Sequence, residues 1–453
     1  MLIFTKDFNS CKTVGCDNFG VSESDSYVQK SERLGYLSTE CTLCGSNPPW
    51  INNELVRDLL SEKLTLQFGQ KVIGCKKCSP YFFISDTPPS KLHGFTSAGT
   101  QRKKCSQCGS VFTRAEYKNV SALKSVLAAV IDKKEVSIAL KESALPARLF
   151  YFYLNKLASI FSNFSRLNEQ KVLQGGYLGM HSEGRLLNLN HQRGIYSLFT
   201  AEIESGYVLL QTNNLSKLAI PDDYLYDEVE NTMIVNSSSK NIESVLLDRY
   251  QSNLKRNHFE QLIVGNISPI TKCNAFYPDK VAYVHFQLLK GFTVNVQHYD
   301  HYLEHESTLR SAALMSSLTE IEQSRANIYY FLPFANNLDD RLDGKPLGWW
   351  NDIWFSNEVG AFSLITNKLK GDSTFKLNKS EGVEQFYRYL NHFMNKNVSS
   401  MQVIDNLSEI YRTVYNYCLP EDGETRACLF GVADRAYLPE ELLEEALKQL
   451  ACE

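Results

Sequence analysis

The chain has 453 residues, which is more than one ordinary hydrophobic core holds, so two to four domains are expected. Its apolar content of 43% and charged content of 22% are those of a soluble globular protein. No stretch approaches the ~18 consecutive apolar residues of a membrane span, and the N-terminus lacks the basic and apolar regions of a secretory signal. We therefore expect a cytoplasmic protein with no membrane partner.

The net charge of −4 is spread unevenly along the chain. Residues 71–118 carry nine lysines and arginines against two acids, a net charge of +7, and residues 71–160 together reach +10. The remainder of the chain carries −14. A basic block on an acidic protein predicts a polyanionic partner for that block alone. The alternative is a solvated basic surface without a partner.

Eight of the twelve cysteines lie within the first 108 residues, as four close pairs. The pairs are Cys11 with Cys16, Cys41 with Cys44, Cys75 with Cys78, and Cys105 with Cys108. Two pairs separated by a loop is the spacing of a tetrahedral zinc site with four thiolate ligands, and a chain without an export signal favours metal over disulfides. We predict two tandem zinc ribbons with one Zn²⁺ each. An interleaved pairing of the four pairs is the alternative.

Two of these pairs lie in nearly identical hexapeptides. CTLCGS begins at Cys41 and CSQCGS begins at Cys105. The glycine after each second cysteine, Gly45 or Gly109, can adopt a left-handed conformation that turns backbone N–H groups toward the sulfurs. Because four sulfurs complete the tetrahedron and leave no position for water, the sites are predicted to be structural and not catalytic.

A helical region follows the second ribbon. Residues 120–131 form a predicted helix with five apolar side chains on one stripe. These side chains are Leu123, Val126, Leu127, Val130 and Ile131. A short helix is predicted at 135–141, and Pro146 suits the first position of a longer helix over 147–157.

A short helix followed by a turn and a longer helix is typical of the helix-turn-helix motif, whose second helix enters the major groove of DNA. Four side chains of the longer helix are therefore candidates for DNA contacts: Arg148, Tyr151, Asn155 and Lys156. An ordinary helical hairpin is the alternative interpretation.

Residues 94–113 resemble the zinc-ribbon signature of bacterial insertion-sequence DNA-binding proteins and transposase N-terminal regions. The matching residues are Gly99, Gln101, Arg102, Cys105, Cys108 and Phe112. Lys103 stands where the family usually has an aromatic residue. In that family the ribbon precedes a helix-turn-helix and binds DNA at the element ends. The resemblance thus implies DNA contacts from the basic residues of the segment, which are Arg102, Lys103, Lys104, Arg114 and Lys118.

Residues 175–210 are predicted to form successive strands with a turn at 204–206. They resemble the opening sheet of an RNase H-like transposase core. Such a core uses three carboxylates to hold two Mg²⁺ ions, and its first strand ends in a catalytic Asp. Here that place is His-Ser-Glu at 181–183. The catalytic candidates are Glu183 and Glu306. Four further acids are considered for the remaining positions: Asp300, Glu304, Glu358 and Glu381. Because Mg²⁺ requires strict octahedral geometry, the missing Asp predicts a catalytically degenerate core.

The expected fold is multidomain α+β, with tandem zinc ribbons, a helix-turn-helix and an α/β RNase H-like core. The expected domains are residues 1–66 and 67–117 for the two ribbons, 118–168 for the helix-turn-helix, 169–420 for the core and 421–453 for a C-terminal helical tail.

The resemblance implies a zinc-dependent, nucleoid-associated protein that binds double-stranded DNA and descends from an insertion-sequence transposase. Two alternatives stay open. One is an active recombinase that nicks or joins DNA with Mg²⁺, and the other is a ribbon module that binds RNA or an acidic protein. The sequence leaves self-association open as well.

The sequence also contains a cluster of histidines and a cluster of tryptophans. His298, His301 and His305 could ligate a metal, although a solvated surface is the preferred interpretation. Trp354, next to the pair at 349–350, suits a core or interface cluster better than base stacking.

Overall fold

We describe the protein from a computed structural model. The described residues are 7–30, 37–68, 75, 89–97, 99–113, 119–132, 135–190, 193–219, 242–254, 273–333, 346–349, 352–357, 359–366, 376–377, 381–394 and 400–452.

Helices and strands alternate along the described residues in a mixed α/β structure. The helices are α1 (Asn53–Phe68), α2 (Val120–Ile131), α3 (Val136–Glu142), α4 (Ala147–Val172), α5 (Ile242–Leu254), α6 (Pro278–Thr293), α7 (Ser307–Ser316), α8 (Leu318–Glu322), α9 (Glu381–Met394), α10 (Met401–Cys418), α11 (Arg426–Leu429) and α12 (Pro439–Cys452). The strands are β1 (Tyr27–Lys30), β2 (Ser38–Cys41), β3 (Ser90–Phe95), β4 (Gln101–Cys105), β5 (Val111–Thr113), β6 (Tyr177–Asn190), β7 (Arg193–Glu202), β8 (Val208–Asn213), β9 (Leu215–Ser216), β10 (Asn274–Ala275), β11 (His298–Glu304), β12 (Ala326–Pro333), β13 (Leu347–Trp349), β14 (Asp352–Ser356), β15 (Gly360–Leu364), β16 (Pro420–Glu421) and β17 (Glu424–Thr425).

The chain divides into two compact units, each made of two separate stretches of sequence. Unit 1 comprises Met1–Leu60 and Gly175–Tyr387, and unit 2 comprises Ser61–Gln174 and Arg388–Glu453. This division differs from the five consecutive domains that the sequence predicts. The first ribbon belongs with the large sheet, and the chain after residue 387 belongs with the second ribbon and the helices α2 to α4.

Unit 1 is built on an eight-stranded mixed sheet of order β13-β14-β15-β12-β11-β6-β7-β8. The strands β6, β7 and β8 form an antiparallel meander. β11 pairs in parallel with β6, and β12 pairs in parallel with β11. The turn predicted at 204–206 is confirmed between β7 and β8, where the Glu202 carboxylate accepts hydrogen bonds from the amides of Glu204 and Ser205.

The two faces of this sheet have different chemistry, because successive side chains of a strand point to opposite sides. On one face, polar side chains of β6 to β8 meet α6, whose residues are almost all buried. On the other face, a hydrophobic cluster forms above β11, β12 and β15. It consists of Ile203, Tyr302, Tyr329, Phe331, Phe362 and Leu377. The helix α9 begins on this second face, where the Phe386 ring lies 5.8 Å from the Phe199 ring.

The first ribbon packs on helices of unit 1. The Phe8 ring lies 4.7 Å from the Tyr283 ring of α6. Ser10 Oγ lies 3.1 Å from Met315 Sδ of α7. A Cβ on Gly20 would lie only 2.2 Å from the Leu318 side chain of α8, so a larger residue would displace Leu318, and the φ of 73° at Gly20 also favours glycine.

Unit 2 combines the second ribbon with a helical bundle in which α4 contacts α2, α10 and α12. An ion-pair network crosses its interior. Glu169 of α4 lies between Arg166 and Arg412, with N···O distances of 2.9 and 3.2 Å, and all three side chains are buried. The helical tail predicted within residues 421–453 contains α12. Its Gln449 donates a hydrogen bond of 3.0 Å to Asn168 of α4.

The helix over 120–131 is confirmed, and four of its five stripe residues are buried. The longer helix was predicted too short, since α4 continues to Val172. Its apolar stripe continues through Ile160, Phe161, Phe164 and Leu167, which are all buried against the bundle. Pro146 lies at the N-cap and not at the first helical position.

Candidate functional sites

The four cysteines of the first ribbon converge on one point. Cys11 Sγ lies 3.5 Å from Cys44 Sγ, and Cys16 Sγ lies 3.8 Å from Cys41 Sγ. All four sulfurs lie within 4.8 Å of one another. Thiolates around a tetrahedral zinc with bonds of ~2.3 Å are about 3.8 Å apart. The four sulfurs are therefore compatible with one Zn²⁺.

Three cysteines of the second ribbon form a similar group. Cys75 Sγ lies 3.4 Å from Cys108 Sγ, and both sulfurs lie within 4.8 Å of Cys105 Sγ. The fourth predicted ligand, Cys78, lies outside the described residues. Each group draws on consecutive cysteine pairs, so the described ligands follow the tandem arrangement and not the interleaved one.

The two hexapeptides adopt the same turn. Gly45 and Gly109 have φ angles of 72° and 70°, and their amides donate to the carbonyls of Cys41 and Cys105 at 2.8 and 3.0 Å. A serine hydroxyl follows each turn: Ser46 Oγ lies 3.2 Å from Cys44 Sγ, and Ser110 Oγ lies 3.1 Å from Cys108 Sγ. The repeated hexapeptide thus gives the second cysteine of each pair the same surroundings: a tight turn and a neighbouring serine hydroxyl.

The thiols of the first group differ in acidity. Burial opposes the thiolate of Cys44, but hydrogen bonds with Ser46 outweigh it and lower the pKa of this thiol to about 6. Burial raises the pKa of Cys16 to about 12. Because only thiolates bind zinc, a metal ion at this group has to displace the proton of Cys16 against the effect of burial.

The second ribbon exposes a basic sheet face. Lys91 of β3 lies opposite Lys104 of β4, and Arg102 lies opposite Thr113 of β5. Directly opposite residues share a face, and all four side chains are exposed. Two of the predicted DNA contacts, Arg102 and Lys104, therefore lie on one accessible surface. Lys91 is one of the nine basic residues at 71–118, but only the strand pairing places it beside Lys104, so the sequence alone did not identify it as a contact.

The remaining basic candidates of the ribbon lie elsewhere. Lys103 points to the opposite face, where it pairs with Leu92 and Phe112 and is partly buried. Arg114 and Lys118 lie outside the described residues.

Two residues of the family-like motif brace the β3–β4 hairpin. The Gln101 side chain donates to the Gly94 carbonyl at 2.8 Å, and the Arg102 guanidinium donates to the Phe95 carbonyl at 2.6 Å. The match to the insertion-sequence motif at these two positions is thus explained in part by hairpin structure.

The four helix candidates divide into two pairs. Arg148 and Tyr151 are exposed in the first turns of α4. Asn155 lies 3.4 Å from the Asn406 side chain of α10, and Lys156 Nζ lies 5.7 Å from the Phe152 ring centre. Asn155 and Lys156 are partly buried, so the N-terminal end of α4 is its accessible part.

Three glutamates from three elements of unit 1 meet at Arg185 of β6. The guanidinium donates to Glu183 of the same strand. It also lies 3.8 Å from the Glu304 carboxylate at the end of β11 and 3.4 Å from the Glu384 carboxylate in α9. Glu183 was predicted as a site residue and Glu304 was considered, whereas Glu384 was missed. Its signal is an acid in the first turn of the helix that follows the sheet.

The other predicted acids lie elsewhere. The Glu306 carboxylate caps α7 by accepting a hydrogen bond from the Thr308 amide at 3.3 Å, which is a structural role. Asp300 is buried and accepts hydrogen bonds from Tyr177 and Asn327 at 3.0 and 2.8 Å. Glu381 is exposed at the start of α9, and Glu358 lies outside the described residues.

The electrostatics of the glutamate cluster favour a charged arginine beside a neutral histidine. Burial alone would lower the pKa of Arg185, but Glu183, Glu304 and Glu384 raise it above its usual value. His181 is buried on the same face, and its Nε2 lies 3.4 Å from the Glu183 carboxylate. Burial and the nearby Arg185 charge lower the pKa of His181 to about 3.

The opposite sheet face carries a buried chain of hydrogen bonds. His301 Nε2 lies 2.7 Å from Ser182 Oγ, which lies 2.5 Å from Thr200 Oγ1. Thr200 continues to His285 Nε2 at 2.7 Å, and His285 Nδ1 reaches Thr212 at 3.0 Å.

The predicted solvated surface at the histidines is wrong for His301, which is 2% exposed. His301 is held in the buried chain, and the ring of His305 packs edge-on against the rings of Tyr330 and Trp354. Trp354 is fully buried, so its predicted place in a core cluster is confirmed.

No family model, curated protein or solved structure matches the chain. Every helix within the described residues is too short or too polar to cross a membrane.

Proposed function

We propose that the chain is a zinc-dependent DNA-binding protein that descends from an insertion-sequence transposase and whose core has lost catalysis. The observation that carries the proposal is the exposed basic face of the second ribbon. The family-like motif at residues 94–113 supports the choice of DNA as the polyanion.

The charge arrangement of this face favours an anionic partner. Like charges directly opposite each other destabilise a strand pair, and Lys91 lies directly opposite Lys104. A phosphate between the two ammonium groups would remove that repulsion. Phosphate contacts of this kind position a protein on DNA without reading its sequence.

We assign recognition of the DNA sequence to the N-terminal end of α4. Arg148 and Tyr151 are exposed there, after α3 and a short turn, which supports the helix-turn-helix interpretation. An arginine can donate two hydrogen bonds to a guanine edge in the major groove.

The architecture of unit 1 supports descent from an RNase H-like core. The strands β6, β7 and β8 form an antiparallel meander, and β11 and β12 continue the sheet in parallel with β6, in keeping with the successive strands that the resemblance implies. The lack of an Asp at 181–183 and the pairing of three glutamates with Arg185 support the loss of catalysis.

Salt-dependent DNA binding tests the proposal. The affinity of the zinc-loaded protein for a random DNA duplex is measured by fluorescence anisotropy at several salt concentrations. Because DNA binding releases counterions, the logarithm of the affinity should fall linearly with the logarithm of the salt concentration. Lys91→Ala with Lys104→Ala should reduce the slope by roughly two, since each phosphate contact contributes about 0.9.

Lys448→Ala is the matched control. Lys448 is a highly exposed lysine of α12, far in sequence from the ribbon, and its removal should leave the slope unchanged. An unchanged slope in the double variant would contradict the proposal. Competition by RNA stronger than by duplex DNA would favour the alternative of an RNA-binding ribbon module.

An active recombinase is the second candidate, and the convergence of Glu183, Glu304 and Glu384 favours it. Mg²⁺- or Mn²⁺-dependent nicking or joining of DNA by the purified protein, abolished by Glu304→Ala, would establish this candidate in place of a degenerate core.

A further inference from the structure

Arg185 holds the centre of a cluster that three glutamates would otherwise offer to a metal ion. Its guanidinium reaches Glu183, Glu304 and Glu384, which come from β6, β11 and α9. We infer that Arg185 is the resident cation of this cluster and closes it to divalent metal ions. The inference rests on the loss of catalysis in the proposed function and gives that loss a specific cause.

Burial explains why the cluster requires a cation. The side chains of Glu183 and Glu304 are 5% and 10% exposed. Carboxylates removed from water are stable only when a counter-charge or hydrogen bonds compensate the lost hydration. The fixed guanidinium supplies five N–H donors for this purpose, and one of its nitrogens also donates to the Gly184 carbonyl at 2.9 Å. The protein therefore provides from its own chain what a bound ion would provide.

The guanidinium also keeps the carboxylates apart. Among the described residues, groups of three or more metal-ligand atoms within 4.8 Å of one another are found only at the two cysteine clusters. A divalent ion binds oxygens at about 2.0–2.6 Å, so three ligands of one ion must lie close together. With Arg185 between them, the three glutamates do not meet this condition.

A buried histidine, His181, lies beside the glutamates and adds a nitrogen atom to their oxygen atoms. Neither ring nitrogen of His181 has a hydrogen-bond partner within the described residues, and the ring is 3% exposed. Its Nε2 lies 3.4 Å from the Glu183 carboxylate. Carboxylates suit Mg²⁺ and Mn²⁺, and an imidazole suits zinc, iron and nickel, so removal of the guanidinium leaves a mixed nitrogen and oxygen ligand set in which the carboxylates can hold Mn²⁺.

Mn²⁺ titration followed by electron paramagnetic resonance tests the inference. The cysteine clusters are first loaded with Zn²⁺, so that Mn²⁺ reports on other sites. We expect no saturable Mn²⁺ site in the wild-type protein. Arg185→Ala should gain one site, with an affinity at least tenfold above any wild-type binding. Arg185→Lys keeps the charge but not the donor geometry of the guanidinium, so it should bind Mn²⁺ more weakly than Arg185→Ala, and Arg185→Ala with Glu304→Gln should lose the gained site.

The wild-type measurement keeps the inference open to refutation even if a variant is unstable. A wild-type Mn²⁺ site that disappears in Glu304→Gln would overturn it. Arg185→Ala leaves the glutamates without their counter-charge, so its Tm should be low without metal and rise with Mn²⁺. A Tm that does not respond to Mn²⁺ would overturn the inference as well.

The outcome is separable from the proposed DNA binding. Arg185 lies in unit 1 and the basic ribbon face lies in unit 2. The duplex affinity of Arg185→Lys should equal that of the wild type, whatever the Mn²⁺ titration shows. Loss of DNA binding in the ribbon variants bears on the proposed function alone.

Discussion

In the proposed function, two exposed side chains of unit 2 make different kinds of DNA contact. Lys104 on the ribbon face would neutralise a phosphate, whereas Arg148 at the exposed end of α4 would contact base edges. Lys104→Ala should weaken binding to all duplexes by a similar factor, because phosphate carries no sequence information. Arg148→Ala should change the order of preference among duplexes, since one good base contact contributes about 1–3 kcal/mol of discrimination.

Affinities for a panel of duplexes, measured for both variants, check this difference. Lys448→Ala again serves as the control. Equal losses on every duplex for both variants would remove α4 from the role of a reading helix.

Three buried histidines make the stability of unit 1 dependent on pH. Burial is the main cause that lowers the pKa values of His181, His285 and His301 to about 3 from the usual 6.5. Between these values the unfolded chain binds more protons than the folded one. The stability contribution is therefore complete above pH 6.5 and is lost as the pH falls toward 3, by roughly 1.4 kcal/mol per pH unit for each histidine.

Hydrogen exchange of the β6–β8 amides at pH 7 and pH 5, corrected for the intrinsic rate, measures this loss. His285→Gln should reduce the pH dependence, and His93→Gln, at an exposed position of the second ribbon, should not. Both variants keep all cysteines, so acid release of zinc affects them equally. The same pH dependence in His285→Gln and wild type would contradict the assignment.

At the scale of elements, the two ribbons have different surroundings and should respond differently to loss of metal. The first contacts α6, α7 and α8 of the sheet unit, whereas the second presents an exposed sheet. Cys16→Ser should lower the Tm of unit 1, because structural zinc contributes on the order of 10 kcal/mol to a site of this kind. Cys105→Ser should abolish DNA binding with little effect on unit 1.

The zinc content and the amide hydrogen exchange of Cys16→Ser and Cys105→Ser measure this difference between the ribbons. We expect two Zn²⁺ ions in the wild type and one in each variant. Equal protection of the β6–β8 amides in Cys16→Ser and wild type would show that the first ribbon does not stabilise the sheet.

The contact of α4 with α10 depends on a buried ion pair. Glu169 and Arg412 are each 1% exposed. Arg412→Ala leaves a carboxylate buried with less compensation and should cost about 3–5 kcal/mol of unfolding free energy. Arg435→Ala removes an exposed pair with Glu441 and should cost less than about 1 kcal/mol. Urea unfolding followed by helical circular dichroism measures both, and equal losses would contradict the difference in burial.

For the whole molecule, local patterns predicted more than long-range ones. The cysteine spacing predicted the group at Cys11, Cys16, Cys41 and Cys44, because ligand pairs are set by short turns. The stripe of α2 predicted its buried face, because helical periodicity is local. Neither pattern contains information on which distant segment completes a unit. The sequence therefore did not reveal that the chain after residue 387 joins the helices at 120–172.

The glutamate cluster shows the same limit at a site. Glu183 could be selected from its place on a strand. Glu384 comes from a helix about 200 residues later, and only the fold brings it to Arg185. Glu306 was selected by its proximity in sequence to the end of β11, but a helix begins immediately after it and takes its carboxylate as a cap. An acidic residue can cap a helix or ligate a metal ion, and the sequence alone does not distinguish these two roles.

The most direct test of the central claim is a genome-wide map of DNA occupancy for the wild-type protein, for Cys105→Ser and for Cys428→Ser, a cysteine outside both clusters. We expect sharp sites for the wild type and for Cys428→Ser, and we expect them to disappear in Cys105→Ser. Diffuse or absent occupancy by the wild type, or sharp sites that persist in Cys105→Ser, would contradict zinc-dependent DNA recognition.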